Sequence, residues 1–275
     1  MITREQLSDR TFKELVRIIY RECGIKLTER KKALVQSRLL KRLRKSEFNT
    51  YEEYFVYLKR NYNKEITNLI NCITTNKTDF FREEHHFDFL IDSILPELLE
   101  ENPEEIRIWS AGCSTGEEPY TIAITLLEYF KNKTKKINLK ILATDIDTNV
   151  LKTAQKGIYK HDVVQDINIE ILKKYFLRGK DKNEGYLMVK KKVKDLITFR
   201  KLNLLDDIFP MKKKFDIIFC RNVIIYFDKE TQISLLHKFH SHLTFDGYLF
   251  LGHSESIFGS KDLFTLIGKT IFKRI

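Results

Sequence analysis

The sequence predicts an α/β fold: a Rossmann-like parallel sheet, preceded by an all-α N-terminal domain and interrupted by a small antiparallel β-subdomain. Three observations lead there. Residues 8 to about 89 carry only the apolar period of helices. Beyond them, the apolar strand cores 106–109, 139–143, 197–202, 215–219 and 248–251 are separated mostly by helical segments, the rhythm of a parallel sheet covered on both faces. The stretch 178–194 breaks that rhythm, because it is charged, contains Gly179 and Gly185, and holds only the short β-like run 186–189.

In chain order, Ser8 or Asp9 caps a first helix whose apolar positions Phe12, Leu15, Ile18 and Ile19 share a face and which stops at Gly24. Thr28 opens a second over 29–45, where Leu34, Leu39, Leu40 and Leu43 oppose a basic set that includes Arg38, Arg42 and Lys45. The capping box Thr50-x-x-Glu53 starts a third, and a fourth covers roughly 64–73. A polar run, 74–83, leads into a helix reaching about residue 101. The chain closes with 263–267 and 270–275, divided by Gly268, which fits a hairpin.

The most informative segment is Ile106-Arg107-Ile108-Trp109-Ser110-Ala111-Gly112-Cys113-Ser114-Thr115-Gly116-Glu117-Glu118-Pro119-Tyr120. It reads as a buried strand breaking into a small-residue turn and then a helix, the layout that brings backbone and free helix N–H groups close to a nucleotide-like ligand. Asp145 ends the next strand, where it can accept hydrogen bonds from two ribose hydroxyls. The turn lacks the GxGxxG pattern, and an ordinary βα turn ending in a surface aspartate fits these residues as well.

Composition bounds the partners. With 275 residues and 43% hydrophobic content the chain can fill one large domain or a small one beside a medium one. A net charge of +11 favours an acidic partner without choosing among nucleic acid, membrane surface and a carboxylate-rich protein face. Cys23, Cys72, Cys113 and Cys220 have no CxxC spacing, so neither a zinc site nor a disulfide framework is indicated. No run reaches the about 18 apolar residues of a membrane span, and no apolar leader opens the chain; a cytoplasmic protein is expected.

Five ordered blocks then become specific: Thr74-Thr75-Asn76-x-Thr78-x-Phe80-Phe81-Arg82-Glu83-x-His85-His86-Phe87; Trp109-Ser110-Ala111-x-x-Ser114-Thr115-Gly116-Glu117-Glu118-Pro119-Tyr120; Ala143-Thr144-Asp145-Ile146-Asp147; Phe219-Cys220-Arg221-Asn222-Val223-x-Ile225-Tyr226-Phe227; and Gly252-His253-Ser254-Glu255-Ser256. From about residue 9 onward the chain resembles the CheR family of chemotaxis receptor methyltransferases. The resemblance implies a class I S-adenosylmethionine-dependent methyltransferase sheet. It divides the chain into a helical domain and linker (1–85), a methyltransferase domain (86–275) and a β-subdomain (178–195). It implies methylation of glutamate side chains on the helical cytoplasmic region of receptors, giving methyl esters and S-adenosylhomocysteine, by a cytoplasmic enzyme recruited to membrane receptor arrays. It also implies residue roles: Asn76, Thr78, Arg82, Glu117, Asp145, Asn203, Leu204, Cys220, Arg221 and Asn222 for the cofactor, and Tyr226 with Arg82 at the reacting group.

These residue types suit that chemistry. A glutamate carboxylate titrates near about 4.3 and is already ionised at neutral pH, so no general base is needed and positioning should supply most of the acceleration. A guanidinium can fork onto a carboxylate and a tyrosine hydroxyl can add a hydrogen bond. Taken without the resemblance, Arg82 fits equally an ion pair with Glu83 or Glu117, and Tyr226 a core aromatic. The basic helix is expected to dock on acidic receptor helices through Arg38, Arg42 and Lys45. His85, His86, His237, His240 and His242 read as structural, and no metal is expected.

Family members that grip a C-terminal receptor pentapeptide use a glycine-rich loop in the β-subdomain. Here that loop reads Arg178-Gly179-Lys180-Asp181-Lys182-Asn183-Glu184-Gly185, which keeps the two outer glycines and lacks a central Gly-Pro, so weak or absent tethering is expected. A nucleic-acid methyltransferase is the main rival that the charge suggests. It is disfavoured because Arg221-Asn222-Val223-Ile224-Ile225-Tyr226 stands where base amino-methylators place an Asn- or Asp-Pro-Pro-aromatic turn, and no proline precedes a cysteine. A non-catalytic cofactor-sensing or receptor-binding module is the other rival, and the presence of both Arg82 and Tyr226 speaks against it.

Overall fold

The structure, a computed structural model, describes residues 6–46, 48–134 and 136–275; residues 1–5 of the predicted helical domain lie outside it. Four helices form the N-terminal unit. In α1 (Asp9–Cys23), the Ser8 hydroxyl accepts from the Thr11 amide, and Gly24, at φ 68°, closes the last turn on the Tyr20 carbonyl. A 3₁₀ turn, Glu29–Lys31, precedes α2 (Lys32–Ser46). The Thr50–Glu53 capping box starts α3 (Tyr51–Arg60), and α4 (Tyr62–Ile73) follows at once. Phe12, Leu15, Ile19, Val35, Leu39, Leu43, Tyr54, Leu58 and Leu69 form one core. The buried stripe of α2 is Val35–Leu39–Leu43, spaced four residues apart, not the predicted set containing Leu34 and Leu40. Leu34 turns away from the bundle because it lines the interdomain cleft.

The predicted helix after the linker is not uniform. It runs as α5 (His85–Phe89), a π-helical turn (Leu90–Ile94) and α6 (Leu95–Glu100). Pro96 explains the break: it has no N–H for the preceding turn and its ring crowds the carbonyl there, so the helix widens just before it.

The main sheet contains β1 (Glu105–Ala111), β2 (Asn138–Asp145), β6 (Ile197–Lys201), β7 (Phe215–Cys220), β8 (Leu243–Leu251), β9 (Phe264–Gly268) and β10 (Ile271–Arg274). Their spatial order is β6-β2-β1-β7-β8-β10-β9. The first five are parallel and the terminal hairpin β9–β10 is antiparallel, as expected from the two segments around Gly268. Helices α7 (Glu117–Phe130), α8 (Thr148–Lys156) and α12 (Lys229–His242) cross over between strands. The sheet separates two cores: Ile108, Ile217, Phe219 and Phe250 lie on one side, Trp109, Ile218, Leu249 and Leu251 on the other. Strand β8 starts five residues before the expected 248, directly from the end of α12. Its early part is irregular, with a shifted register against β7 and Asp246 at φ 59°, which hides the alternation in the sequence.

The small sheet, in order β3-β5-β4, is antiparallel and is drawn from β3 (Ile158–Lys160), β4 (Phe176–Arg178) and β5 (Tyr186–Val189). It therefore begins some twenty residues before the expected 178–195 stretch. Short helices α9 (His161–Val164), α10 (Ile169–Tyr175) and α11 (Lys191–Lys194) surround it. Strands of three residues carry too little alternation to be read from sequence.

Candidate functional site

A cleft of about 320 Å³ opens at the C-terminal ends of β1, β2 and β7, where strand order reverses on either side of β1. Its floor is the small-residue turn after β1. Gly112 has φ 84°, and a Cβ there would lie 2.4 Å from a Val223 methyl, so only glycine lets the two loops approach. The Gly112 and Cys113 amides donate to the Thr144 carbonyl. Ser114, at φ 48°, donates its amide to Asp145 Oδ2 at 2.8 Å, while Asp145 Oδ1 accepts from the Asp147 amide at 2.9 Å. Burial pushes the Asp145 carboxyl up to about 6, against the pull of these N–H groups.

The linker forms the roof. Asp147 caps α8 through Oδ1, and its Oδ2 accepts from Thr74 Oγ1 and Asn76 Nδ2, both at 2.8 Å. Ser114 Oγ donates to the Asn76 carbonyl at 2.9 Å, so floor and roof are joined. Phe81 (φ 54°) and Glu83 (φ 56°) hold left-handed backbone on both sides of Arg82, a costly conformation for non-glycine residues. The Arg82 guanidinium donates to the Lys77 carbonyl at 3.2 Å and, among the described residues, makes no ion pair. The nearby acids are taken by Arg221, 3.3 Å from both Glu83 and Glu118, whose guanidinium also donates to the Arg82 carbonyl. Burial raises the Glu83 carboxyl, but His253 and Arg221 outweigh it and bring the group down to about 2.

The N-terminal unit supplies a third wall, including Ile25, Lys26, Leu34 and Arg38. The Lys26 amide donates to the Tyr226 carbonyl at 2.9 Å, fixing the 3₁₀ turn Ile224–Tyr226 against the helical domain. Asn203 Nδ2 donates to the Glu22 carbonyl at 2.7 Å across the same boundary.

Of the predicted site residues, Asn76, Thr78, Arg82, Asp145, Asn203, Leu204, Arg221, Asn222 and Tyr226 line this one cleft. Glu117 and Cys220 do not. Glu117 turns to Thr115 Oγ1 at 2.7 Å, and burial pushes its carboxyl up to about 7; one residue on, Glu118 faces the cleft, because consecutive side chains on a helix point about 100° apart. Cys220, the last residue of β7, is fully buried in the apolar core beside Trp109 and Leu251, and burial raises its thiol well above the ordinary range. Ser114 and Glu118 also line the cleft, while Glu83 and Asp147 brace its walls through Arg221 and through Thr74 and Asn76. Ile25 and Lys26 carried no signal at all.

The predicted docking set divides. Arg38 donates to the Ile73 carbonyl and to Thr75 Oγ1, so it braces the linker. Arg42 forks onto Glu65, with both contacts at 2.7 Å, and Tyr54 and Asn68 also donate to that carboxylate. Glu65 is only 1% exposed, so its sequence position in an amphipathic helix gave no hint that a basic residue of α2 would be needed inside. Only Lys45 of the three projects to solvent. Arg42→Ala is therefore expected to cost about 3 kcal/mol of stability in urea denaturation, since it leaves a buried carboxylate unpaired.

His86 is buried, with Nε2 3.0 Å from the Lys269 carbonyl, and burial together with Arg221 lowers its pKa to about 4. His240 and His242 contact backbone carbonyls of Ile275 and Lys238. Among the described residues, no three His, Cys, Asp or Glu side chains are grouped to hold a metal ion, and no helix is long and apolar enough to cross a membrane.

The donor set fits S-adenosylmethionine. Asp145 offers a carboxylate to a ribose diol, Ile146, Leu202 and Leu204 present an apolar wall to a base, and Glu118 offers a carboxylate to the ammonium of an amino acid tail. Residues 76–273 match the family model described as CheR methyltransferase, SAM binding domain, and residues 10–74 match CheR methyltransferase, all-alpha domain. A chemotaxis protein methyltransferase of Borreliella burgdorferi is 47% identical over 267 residues, covering 95% of this chain and 92% of its own length. That of Escherichia coli is 40% identical over 99% of this chain and 93% of its own, and chemotaxis protein methyltransferase 2 of Pseudomonas aeruginosa is 41% identical over 95% and 91%.

Proposed function

This chain belongs to the CheR methyltransferase family, with its all-α and S-adenosylmethionine-binding domains both present, and we propose that it methylates glutamate side chains of chemotaxis receptors, as a protein-glutamate O-methyltransferase. The observation that carries the reading is the placement of Arg82 and Tyr226 in the cleft. Arg82, from the linker, and Tyr226, from the loop after β7, line the same cavity as Asp145, and Arg82 has no acidic partner among the described residues. An arginine brought to a cofactor cleft with no carboxylate on its fork suits a carboxylate substrate.

When bound, S-adenosylmethionine supplies an electrophilic methyl carbon on a positively charged sulfur and leaves as S-adenosylhomocysteine. The protein's part is placement. Asp145 and Glu118 would hold the ligand's ribose and amino acid ends, with Asn76 and Thr78 on the linker wall of the same cleft. Arg82 and Tyr226 orient the glutamate carboxylate, which is ionised in solution and needs no base. Because strong pairing also stabilises the ground state, orientation matters more than neutralisation.

On the docking side, the outward basic positions of α2, Lys41, Arg44 and Lys45, face solvent and complement an acidic receptor helix. The β4–β5 loop, with its 3₁₀ turn Asp181–Asn183, is proposed not to tether a receptor tail. The test is transfer of labelled methyl from S-adenosylmethionine to cytoplasmic receptor fragments with and without their C-terminal tails, with tRNA and duplex DNA alongside. Base-labile label released as methanol, at equal rates from both fragments, is the expected result. Stable label, or label on nucleic acid, would overturn the glutamate assignment, and a marked rate advantage for the tailed fragment would overturn the absence of tethering.

A further inference from the structure

We propose that Glu255 is a positioning residue for the reaction: its carboxylate holds the loop that presents Asn222 and Tyr226 to the cleft. The inference rests on the role of Tyr226 proposed above. Strands β7 and β8 are parallel neighbours with Cys220 opposite Leu251, so the turn after β8 necessarily faces the loop after β7. Glu255 sits in that turn and is only 6% exposed. Its Oε2 accepts from the Asn222 amide at 2.8 Å and the Gly252 amide at 2.6 Å, and its Oε1 from the amides of Val223 at 2.8 Å and Ile225 at 3.3 Å. One carboxylate thus satisfies four backbone N–H groups, and among the described residues it pairs with no lysine or arginine.

The loop requires such a partner. Asn222 has φ 60°, so the chain leaves β7 in a left-handed conformation that turns successive N–H groups inward, toward one point. Buried amides pointing at one another are stable only around an anion or a strong acceptor. The loop's carbonyls are held separately: Gln232 Nε2 donates to Ile224 and Phe227, and the Lys26 amide donates to Tyr226. Without the carboxylate, the amide side of the loop is unpinned while Tyr226 stays tied to the helical domain. The catalytic loop then loses its registration to the sheet that carries Asp145.

Glu255→Gln tests this, because the amide keeps the shape but turns one acceptor into a donor facing two N–H groups. Hydrogen exchange of the backbone amides in 221–227 should accelerate about tenfold or more, equivalent to about 1.4 kcal/mol of local protection. Turnover should fall about 10- to 100-fold, the scale of an ångström-level misplacement, with the S-adenosylmethionine Kd within about threefold of wild type. In a Tyr226→Phe background the same change should cost less than about threefold, since the two residues act as one unit. Glu255→Asp, which retains the charge, should be intermediate in both readouts and serves for the exchange measurement if the glutamine variant does not fold. Unchanged exchange in 221–227 would overturn the clamp, and fully multiplicative losses in the double variant would overturn its action through Tyr226. Wild-type turnover in Tyr226→Phe alone would instead remove Tyr226 from the reading, leaving the exchange result to judge the clamp.

Discussion

Asp145→Ala is expected to weaken S-adenosylmethionine binding by about 100-fold or more, the largest single loss of affinity in the cleft. Two hydrogen bonds to a charged acceptor contribute about 1.5–3 kcal/mol each, and even the lower end of that range gives a hundredfold change. The substitution also releases the Ser114 and Asp147 amides that the carboxylate holds at 2.8 and 2.9 Å, loosening the floor of the site. Titration calorimetry with S-adenosylmethionine or S-adenosylhomocysteine measures it; a change below about fivefold would remove Asp145 from the ligand contacts. The same carboxyl sets a pH dependence. Its folded-state pKa is raised to about 6 by burial, so it accepts fully only above that value. Cofactor Kd should be flat above pH 7 and rise roughly tenfold per unit as pH falls below about 6, because binding then requires loss of a proton. Asp145→Asn should flatten most of that profile, leaving the part due to Glu118, whose carboxyl burial also raises.

Arg82→Ala is expected to lower kcat by about 10²-fold, the cost typical of losing the alignment of a reacting group. Cofactor Kd should move less than about fivefold, since Asp145, Glu118 and the linker backbone remain. Arg82→Lys should recover less than about tenfold, because an ammonium has charge without the planar fork. The left-handed residues Phe81 and Glu83 on either side argue that this backbone is held for a purpose, and Arg221 is already committed to Glu83 and Glu118. Single-turnover measurements at saturating receptor separate the two effects. Undiminished kcat in Arg82→Ala would remove it from the reaction.

Much of this was legible from residues alone, for identifiable reasons. Capping chemistry is local, so Ser8, Gly24 and the Thr50–Glu53 box marked helix ends correctly. Long apolar strand cores and the small-residue turn are local as well, and they located the sheet and the floor of the cleft. Short strands escaped: Ile158–Lys160 and Phe176–Arg178 have three residues each, and the irregular start of β8 erased its alternation. Side-chain direction at element ends also escaped. Glu117 and Glu118 are neighbours in one motif, yet only the second faces the cleft, and Cys220 ends the right strand while pointing into the core.

The sequence by itself determined the fold class, the family resemblance and the set of chemically competent residues, because these depend on periodicity, caps and ordered motifs within short stretches. The tertiary structure alone decided which charges are spent. Arg42 pairs with Glu65 and Arg221 with Glu83 and Glu118, Arg38 is spent on the Ile73 carbonyl and Thr75, and Arg82 stays in the cleft without an acidic partner among the described residues. Those partners lie far apart in the chain, and the cost of burying an unpaired charge acts only after folding has brought them together.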